Sequence, residues 1–349
     1  MARQVLLGDE AVALGAVHAG LSAGYSYPGT PASEIMEFLV RLADKEGGFK
    51  ASWSVNEKVA FEEALGASFA GKRALVSFKH VGLNVAADPF MNSAMTGANG
   101  GLVVVSADDP GMHSSQNEQD SRFYARFAQI LCFEPADHQE CYDMTREAFD
   151  ISENLGLPVL VRLVTRLSHS RSSVETREPR AQNALRKGDW KDWTLLPVNA
   201  RRRFGFLLDR QAEMVRLSEA SATNALTLNP DDSARGVIAA GIAANYFHEA
   251  ASSGGISPSF LKISVYPLPE TLVRKLVDHV ETVLVLEDGY PLIERDIRGM
   301  FGVPGKRVIG RTTGAVPASG ELSPDLVRKA LGLAPLAAQA PPAIPLAGR

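Results

Sequence analysis

Four stretches of this chain carry residue types at spacings that could do chemistry. In SWSVNEKVAFEEALGASFAG (52–71) a carboxylate, Glu57, falls where a short extended piece meets an apolar helix. Ser54-Val55-Asn56-Glu57 fits the S-x-x-E capping box, in which Glu57 would accept from the Ser54 backbone N–H. The same carboxylate precedes VAFEEALGASFAG, whose small residues suit a closely packed helix. A carboxylate buried there would be pushed towards its protonated form. From these residues alone, a helix cap and a proton-holding group both remain open.

In YPGTPASEI (27–35), Gly29 and Thr30 sit between two prolines at a strand-to-helix junction, with Ser33 placed to cap the helix. Such a helix start faces the carboxyl end of its strand, where open α/β sheets bind ligands. A tight, well-capped turn explains the same pattern. SFKHVGLNVAADP (77–89) ends a strand in Lys79-His80, followed by Gly82 and Asn84. His80 reads as a functional imidazole or as a surface residue. SADDPGMHSSQNEQDSRFYARF (106–127) crowds His113, Ser114, Ser115, Gln116 and Arg122 behind another strand. It is a solvated loop or a polar recognition segment. Arg122 or Arg126 could pair a carboxylate through two parallel bonds.

The elements that must position these residues follow from periodicity. Residues 8–24 and 33–47 place apolar residues at helical spacing, and 57–72 form a helix rich in Ala and Gly. RALVSF (73–78), GLVVVSAD (101–108) and LPVLVRLV (157–164) are continuous apolar runs of strand length. Such strands between helices indicate a parallel sheet covered on both faces. Residues 170–200 read as a connector, and 201–222 as one long amphipathic helix. Strand, turn and helix then recur over 234–251, 259–280 and 281–301, with a last strand at 306–310 and a last helix at 323–332. The expected fold class is α/β: two doubly wound, mostly parallel-sheet domains. A linker and long helix over 191–233 would precede a second domain over 234–333, and an Ala/Pro-rich tail over 334–349.

Bulk properties narrow the function. The 349 residues are 45% hydrophobic and 22% charged, with a formal net charge of −4, so nucleic acid and anionic membranes are not expected partners. Cys132 and Cys141 form no CxxC pair, and the seven histidines show no HExxH spacing, so no metal site or iron–sulfur cluster is expected within this chain. Residues 1–20 lack a basic start and an unbroken apolar core, so the expectation is no signal peptide and a cytoplasmic location. There is no GxGxxG after a strand, no Walker A loop and no GxSxG elbow.

Together, YPGTPASEI, WSVNEKVAFEEALGAS, KHVGLNVAADPFMNSAMTGANGGLVVVSADDPGMHSSQNEQDSR and LPVLVRLVTRLSHSRSSVE closely resemble the N-terminal part of the α subunits of indolepyruvate:ferredoxin oxidoreductases. These belong to the thiamine-diphosphate-dependent 2-oxoacid:ferredoxin oxidoreductases. The resemblance runs over roughly residues 5–330 and is densest from 25 to 175. It implies a pyrimidine-binding domain over 1–190 and a transketolase C-terminal-like domain behind it.

The resemblance places the family's glutamate for N1′ of the cofactor's aminopyrimidine on Glu57. It implies cofactor contacts at Gly29, Thr30, His80, Gly82 and Asn84. It also implies substrate contacts at Thr30, His113, Ser114, Ser115, Gln116 and Arg122. Full-length relatives continue into a diphosphate-binding domain with a GDG…N motif for Mg²⁺, then into cysteine clusters. Neither occurs in these 349 residues. Half a thiamine diphosphate site and no redox centre are therefore expected here.

Partner chains would carry the diphosphate-binding domain and the iron–sulfur clusters. Ferredoxin would be the acceptor, CoA and a 2-oxoacid the substrates, and two copies of this chain would pair within a heteromer. A non-oxidative decarboxylase assembled from split chains, and a non-catalytic scaffold subunit, remain as other readings.

Overall fold

The computed structural model describes residues 3–299 and 302–335. Most of the expected tail, from 336 onward, lies outside the described residues. The first half contains β1 (Arg3–Leu7), α1 (Gly8–His18), β2 (Ala23–Ser26), α2 (Ser33–Glu46), β3 (Lys50–Trp53), α3 (Glu57–Phe69) and β4 (Ala74–Lys79). It continues with α4 (His80–Val85), α5 (Ala87–Thr96), β5 (Leu102–Asp108), α6 (Arg122–Ala128), β6 (Cys132–Phe133), α7 (His138–Leu155), β7 (Val159–Val164), α8 (Thr165–His169) and β8 (Arg171–Glu175).

After α9 (Trp190–Trp193) and α10 (Pro197–Ala220) come β9 (Leu226–Thr227), β10 (Arg235–Ala240), α11 (Ala243–Gly254), β11 (Ser259–Ile263) and β12 (Val265–Tyr266). The chain then forms α12 (Glu270–His279), β13 (Thr282–Leu286), α13 (Leu292–Arg298), β14 (Arg307–Ile309) and α14 (Pro324–Leu331).

The first sheet has seven strands in the order β12-β6-β7-β5-β4-β2-β3, parallel except for β12. Every residue of β4, β5 and β7 is buried, which is why these strands read as unbroken apolar runs. The second sheet, β14-β13-β10-β11-β9, is parallel except for β9. The α/β class with two mostly parallel sheets is therefore observed.

Two features depart from the expected layout. Residues 171–175, expected in a connector, form β8 and pair antiparallel with β1. Val265 and Tyr266 leave the second sheet and pair with β6 at the edge of the first. That crossing joins the two sheets through one strand of continuous backbone. Among the described residues no helix is long and apolar enough to cross a membrane.

Candidate active site

Parallel strands end on one edge of their sheet, and the loops that follow them share that edge. β2, β3, β4 and β5 end at Ser26, Trp53, Lys79 and Asp108, so the four chemistry-bearing stretches converge there. The Ser54 N–H donates to the Ser26 carbonyl at 2.8 Å, extending the β2–β3 pairing one step into the loop. Gly29 donates its N–H to Ser33 Oγ at 2.9 Å, and its Cα packs on Lys79, whose Cβ would lie 3.1 Å from any Cβ placed there. Ser33 thus ties down the turn, while Ala32 takes the N-cap position of α2.

The capping box at Ser54 is not formed. Asn56 is the N-cap of α3, its side chain accepting from Val59 N–H at 2.9 Å, and Ser54 Oγ donates instead to Glu63 at 2.5 Å. Asn56 competes successfully because an Asn oxygen reaches the N3 amide of a helix beginning one residue later. Glu57 is left at the first helical position. Its half-buried carboxylate makes no hydrogen bond or ion pair with any described residue. Gly82 lies against it: a Cβ there would fall 2.8 Å from Glu57 Oε1 and 2.9 Å from Cγ.

His80 is buried beside this pair. Its Nε2 lies 3.1 Å from the Asn117 carbonyl and 3.2 Å from Asn117 Oδ1, and its Nδ1 is buried without a partner. Lys79 Nζ donates to the Ser114 carbonyl at 2.9 Å, and Ser114 Oγ lies 3.4 Å from the Thr30 carbonyl. Asp109 anchors the loop by accepting from Ser114 N–H at 2.8 Å, Ser115 Oγ at 2.5 Å and Thr165 Oγ1 at 2.7 Å. Burial would raise the Asp109 carboxyl, but those hydrogen bonds outweigh it and hold it at about 2.

The structure therefore brings Gly29, Thr30, Glu57, His80, Gly82, Ser114 and Ser115 to one sheet edge. Thr30 and Gln116 are exposed there. Three expected residues are placed differently. Asn84 is exposed and accepts from the Tyr124 hydroxyl. His113 is drawn to Glu321, Nε2 to Oε2 at 3.2 Å, beside Arg166 on the same carboxylate.

Arg122 is not free for a substrate. It is fully buried, with Nε 2.9 Å from Asp120 Oδ1, Nη1 3.0 Å from Glu287 Oε2 and Nη2 2.9 Å from the Tyr290 carbonyl. Arg162 extends this cluster to Asp108 at 2.6 Å and to Glu134, which also accepts from the Tyr266 hydroxyl at 2.6 Å. Glu134 and Arg162 belong to the first sheet's half, and Glu287 and Tyr290 to the second's, so the cluster clasps the two together. Arg126 pairs with Asp296 at the surface.

Lys79 and Asp109, which hold the Ser114–Ser115 loop, were not among the expected site residues, whereas Asn117 lies in the polar segment read as a recognition candidate. The doubled aspartate at the end of β5, Asp108-Asp109, was the available signal for Asp109. A groove of about 640 Å³ between α6, α10, α12 and α13 is lined by Gln129, Met214, Leu268 and Val277, and by none of Glu57, Thr30 or His80.

An α/β sheet edge with an unpartnered glutamate, a buried imidazole and a glycine that makes room for the carboxylate fits a thiamine-diphosphate pyrimidine-binding domain. Residues 14–197 match the family described as pyruvate flavodoxin/ferredoxin oxidoreductase, thiamine diphosphate-binding. The chain belongs to that family.

The indolepyruvate oxidoreductase subunit IorA of Archaeoglobus fulgidus is 40% identical, the match covering 98% of this chain and 58% of that protein. IorA of Methanothermobacter thermautotrophicus is 41% identical over 93% of this chain and 53% of its own length. The chain spans a little over half the length of these curated relatives. A 2-oxoglutarate:ferredoxin oxidoreductase from Magnetococcus marinus shares the fold at TM-score 0.76 and 16% identity, over 95% of this chain and 65% of that one. A split-gene transketolase shares it at TM-score 0.57 and 15% identity, over 93% and 95%.

Proposed function

We propose that this chain supplies the pyrimidine-binding half of a thiamine diphosphate site in a 2-oxoacid oxidoreductase acting on arylpyruvates, with indolepyruvate as the substrate to test first. The observation that carries the reading is the Glu57 carboxylate, half-buried, without a protein partner and packed on Gly82. Family membership and the names of the 40%-identical relatives support it.

The residues fit the cofactor. Glu57 would hold a proton between its carboxylate and N1′ of the aminopyrimidine. Gly82 keeps the carboxylate in place by leaving its own side-chain position empty. His80, fixed through Nε2 to Asn117, keeps Nδ1 available as the one uncommitted ring nitrogen. Thr30, Ser114 and Gln116 are the exposed polar groups beside it that would meet a substrate carboxylate or carbonyl. Arg122 has no role in that contact, because its guanidinium is used between the sheets. Thiamine diphosphate, when bound, supplies the carbanion chemistry by which a 2-oxoacid is decarboxylated.

A diphosphate-binding domain with its Mg²⁺ site would cover the edge. Exposed Tyr27, Trp53 and Val55 beside the Glu57 turn offer apolar surface for that contact. Iron–sulfur clusters on partner chains would pass electrons to ferredoxin, and CoA would take the acyl group, in the cytoplasm. Two copies of this chain would pair within the assembly. The test is indolepyruvate- and CoA-dependent ferredoxin reduction by the reconstituted complex. Release of an aldehyde by a complex without iron would overturn the oxidoreductase reading.

A further inference from the structure

A second cluster lies in the first domain, sharing no residue with the group around Glu57. Asp9 is in the first turn of α1, Glu34 in the first turn of α2, and His169 ends α8. One ligand atom from each lies within 4.8 Å of the other two, and His169 Nε2 is 3.4 Å from Glu34 Oε1. Metal–ligand bonds of about 2.0–2.1 Å in a tetrahedron put neighbouring ligand atoms roughly 3.3 Å apart. The His169–Glu34 edge already has that length.

Burial supplies an independent observation. Asp9 is fully buried, and among the described residues neither of its carboxylate oxygens has a hydrogen-bond partner of normal geometry. The Ser168 hydroxyl lies beside Asp9 without a hydrogen bond of normal geometry, and Glu34 Oε2 is likewise buried and unpartnered among the described residues. Buried polar atoms left unpaired in this way are destabilising. Neighbouring Glu10 is already satisfied, pairing with Arg41 and accepting from Leu7 N–H through its other oxygen. A bound dication removes the penalty on Asp9 and Glu34.

We propose that Asp9, Glu34 and His169 bind a divalent first-row transition ion such as Zn²⁺. The imidazole selects against Mg²⁺ and Ca²⁺, which take oxygen ligands throughout. Occupancy would lock α1, α2 and α8 together. Because α2 follows the Gly29–Thr30 turn directly, the ion would also stiffen that turn.

The experiment is calorimetric titration of the tag-free, chelator-dialysed chain with ZnCl₂, alongside its melting temperature. One ion per chain and a raised melting temperature are expected in the parent. Asp9→Asn and His169→Ala should each weaken binding by at least about tenfold. His169 is exposed, so His169→Ala remains informative should Asp9→Asn fail to fold. No binding by the parent chain, or undiminished affinity in His169→Ala, overturns the site.

Discussion

The Glu57 carboxylate occupies the space that a side chain at Gly82 would need, with Oε1 2.8 Å from the position of an added Cβ. Gly82 lies inside α4, where alanine has the better helix propensity. Gly82→Ala should therefore leave the melting temperature within a few degrees of the parent, while displacing Glu57. In the assembled complex, turnover should fall by roughly tenfold or more. Steady-state kinetics and a thermal melt on the same preparation separate the two effects.

Asn56, not Ser54, caps the helix that begins with Glu57. Asn56→Ala should cost about 1 kcal/mol, read as a lowered urea midpoint. Ser54→Ala loses only a hydrogen bond to Glu63 and should leave the α3 cap intact. A larger loss of α3 amide-exchange protection in Ser54→Ala than in Asn56→Ala would contradict the assignment.

Arg122 is shared by Asp120, Glu134 and Glu287 in a dry cluster. Removing one member of such a set leaves carboxylates buried and uncompensated. Arg122→Met should destabilise the chain by about 3–5 kcal/mol in denaturant unfolding. A change below about 1 kcal/mol would mean the cluster does not clasp the two sheets.

Asp288 sits in the same interface, with one carboxylate oxygen accepting from Leu322 N–H at 2.9 Å and the other unpartnered. Burial pushes its carboxyl up to about 6. An acid whose folded value exceeds its unfolded value, about 4, binds protons on folding. Its contribution is most favourable below about 4, declines as pH rises towards 6, and is flat above. Asp288→Asn should remove that decline, matching the parent near pH 4 and exceeding it by about 1–3 kcal/mol at pH 7.5. The substitution removes the carboxylate that pairs with Arg311 at 3.5 Å, which offsets part of the gain, while Arg311 keeps its hydrogen bonds to the Glu287, Pro317 and Gly320 carbonyls. Urea titrations at several pH values give the comparison.

The central strands were legible because β4, β5 and β7 are buried on both faces, which leaves an unbroken apolar run in the sequence. β8 was not, because RSSVE buries only Val174 and resembles a polar connector. The two-residue strands β6 and β12 are too short for any period to show. The placement of Glu57, Thr30 and His80 on a common sheet edge was legible because His80 directly follows β4, and Thr30 and Glu57 lie four residues past the ends of β2 and β3. Arg122 misled because its partners Glu134, Tyr266 and Glu287 lie far along the chain, while its sequence neighbours are those of a polar loop. Asp9, Glu34 and His169 share no spacing at all. Only the packing of three helix ends brings them together.

The central claim is that Glu57 carries the proton exchanged with the cofactor. Its most direct test is Glu57→Gln in the fully assembled complex, assayed for indolepyruvate-dependent ferredoxin reduction at equal cofactor loading. Glutamine keeps the shape beside Gly82 and cannot exchange the proton. The account predicts a loss of about 10²-fold or more in turnover, with assembly and melting temperature unchanged. Parental turnover in Glu57→Gln would contradict it.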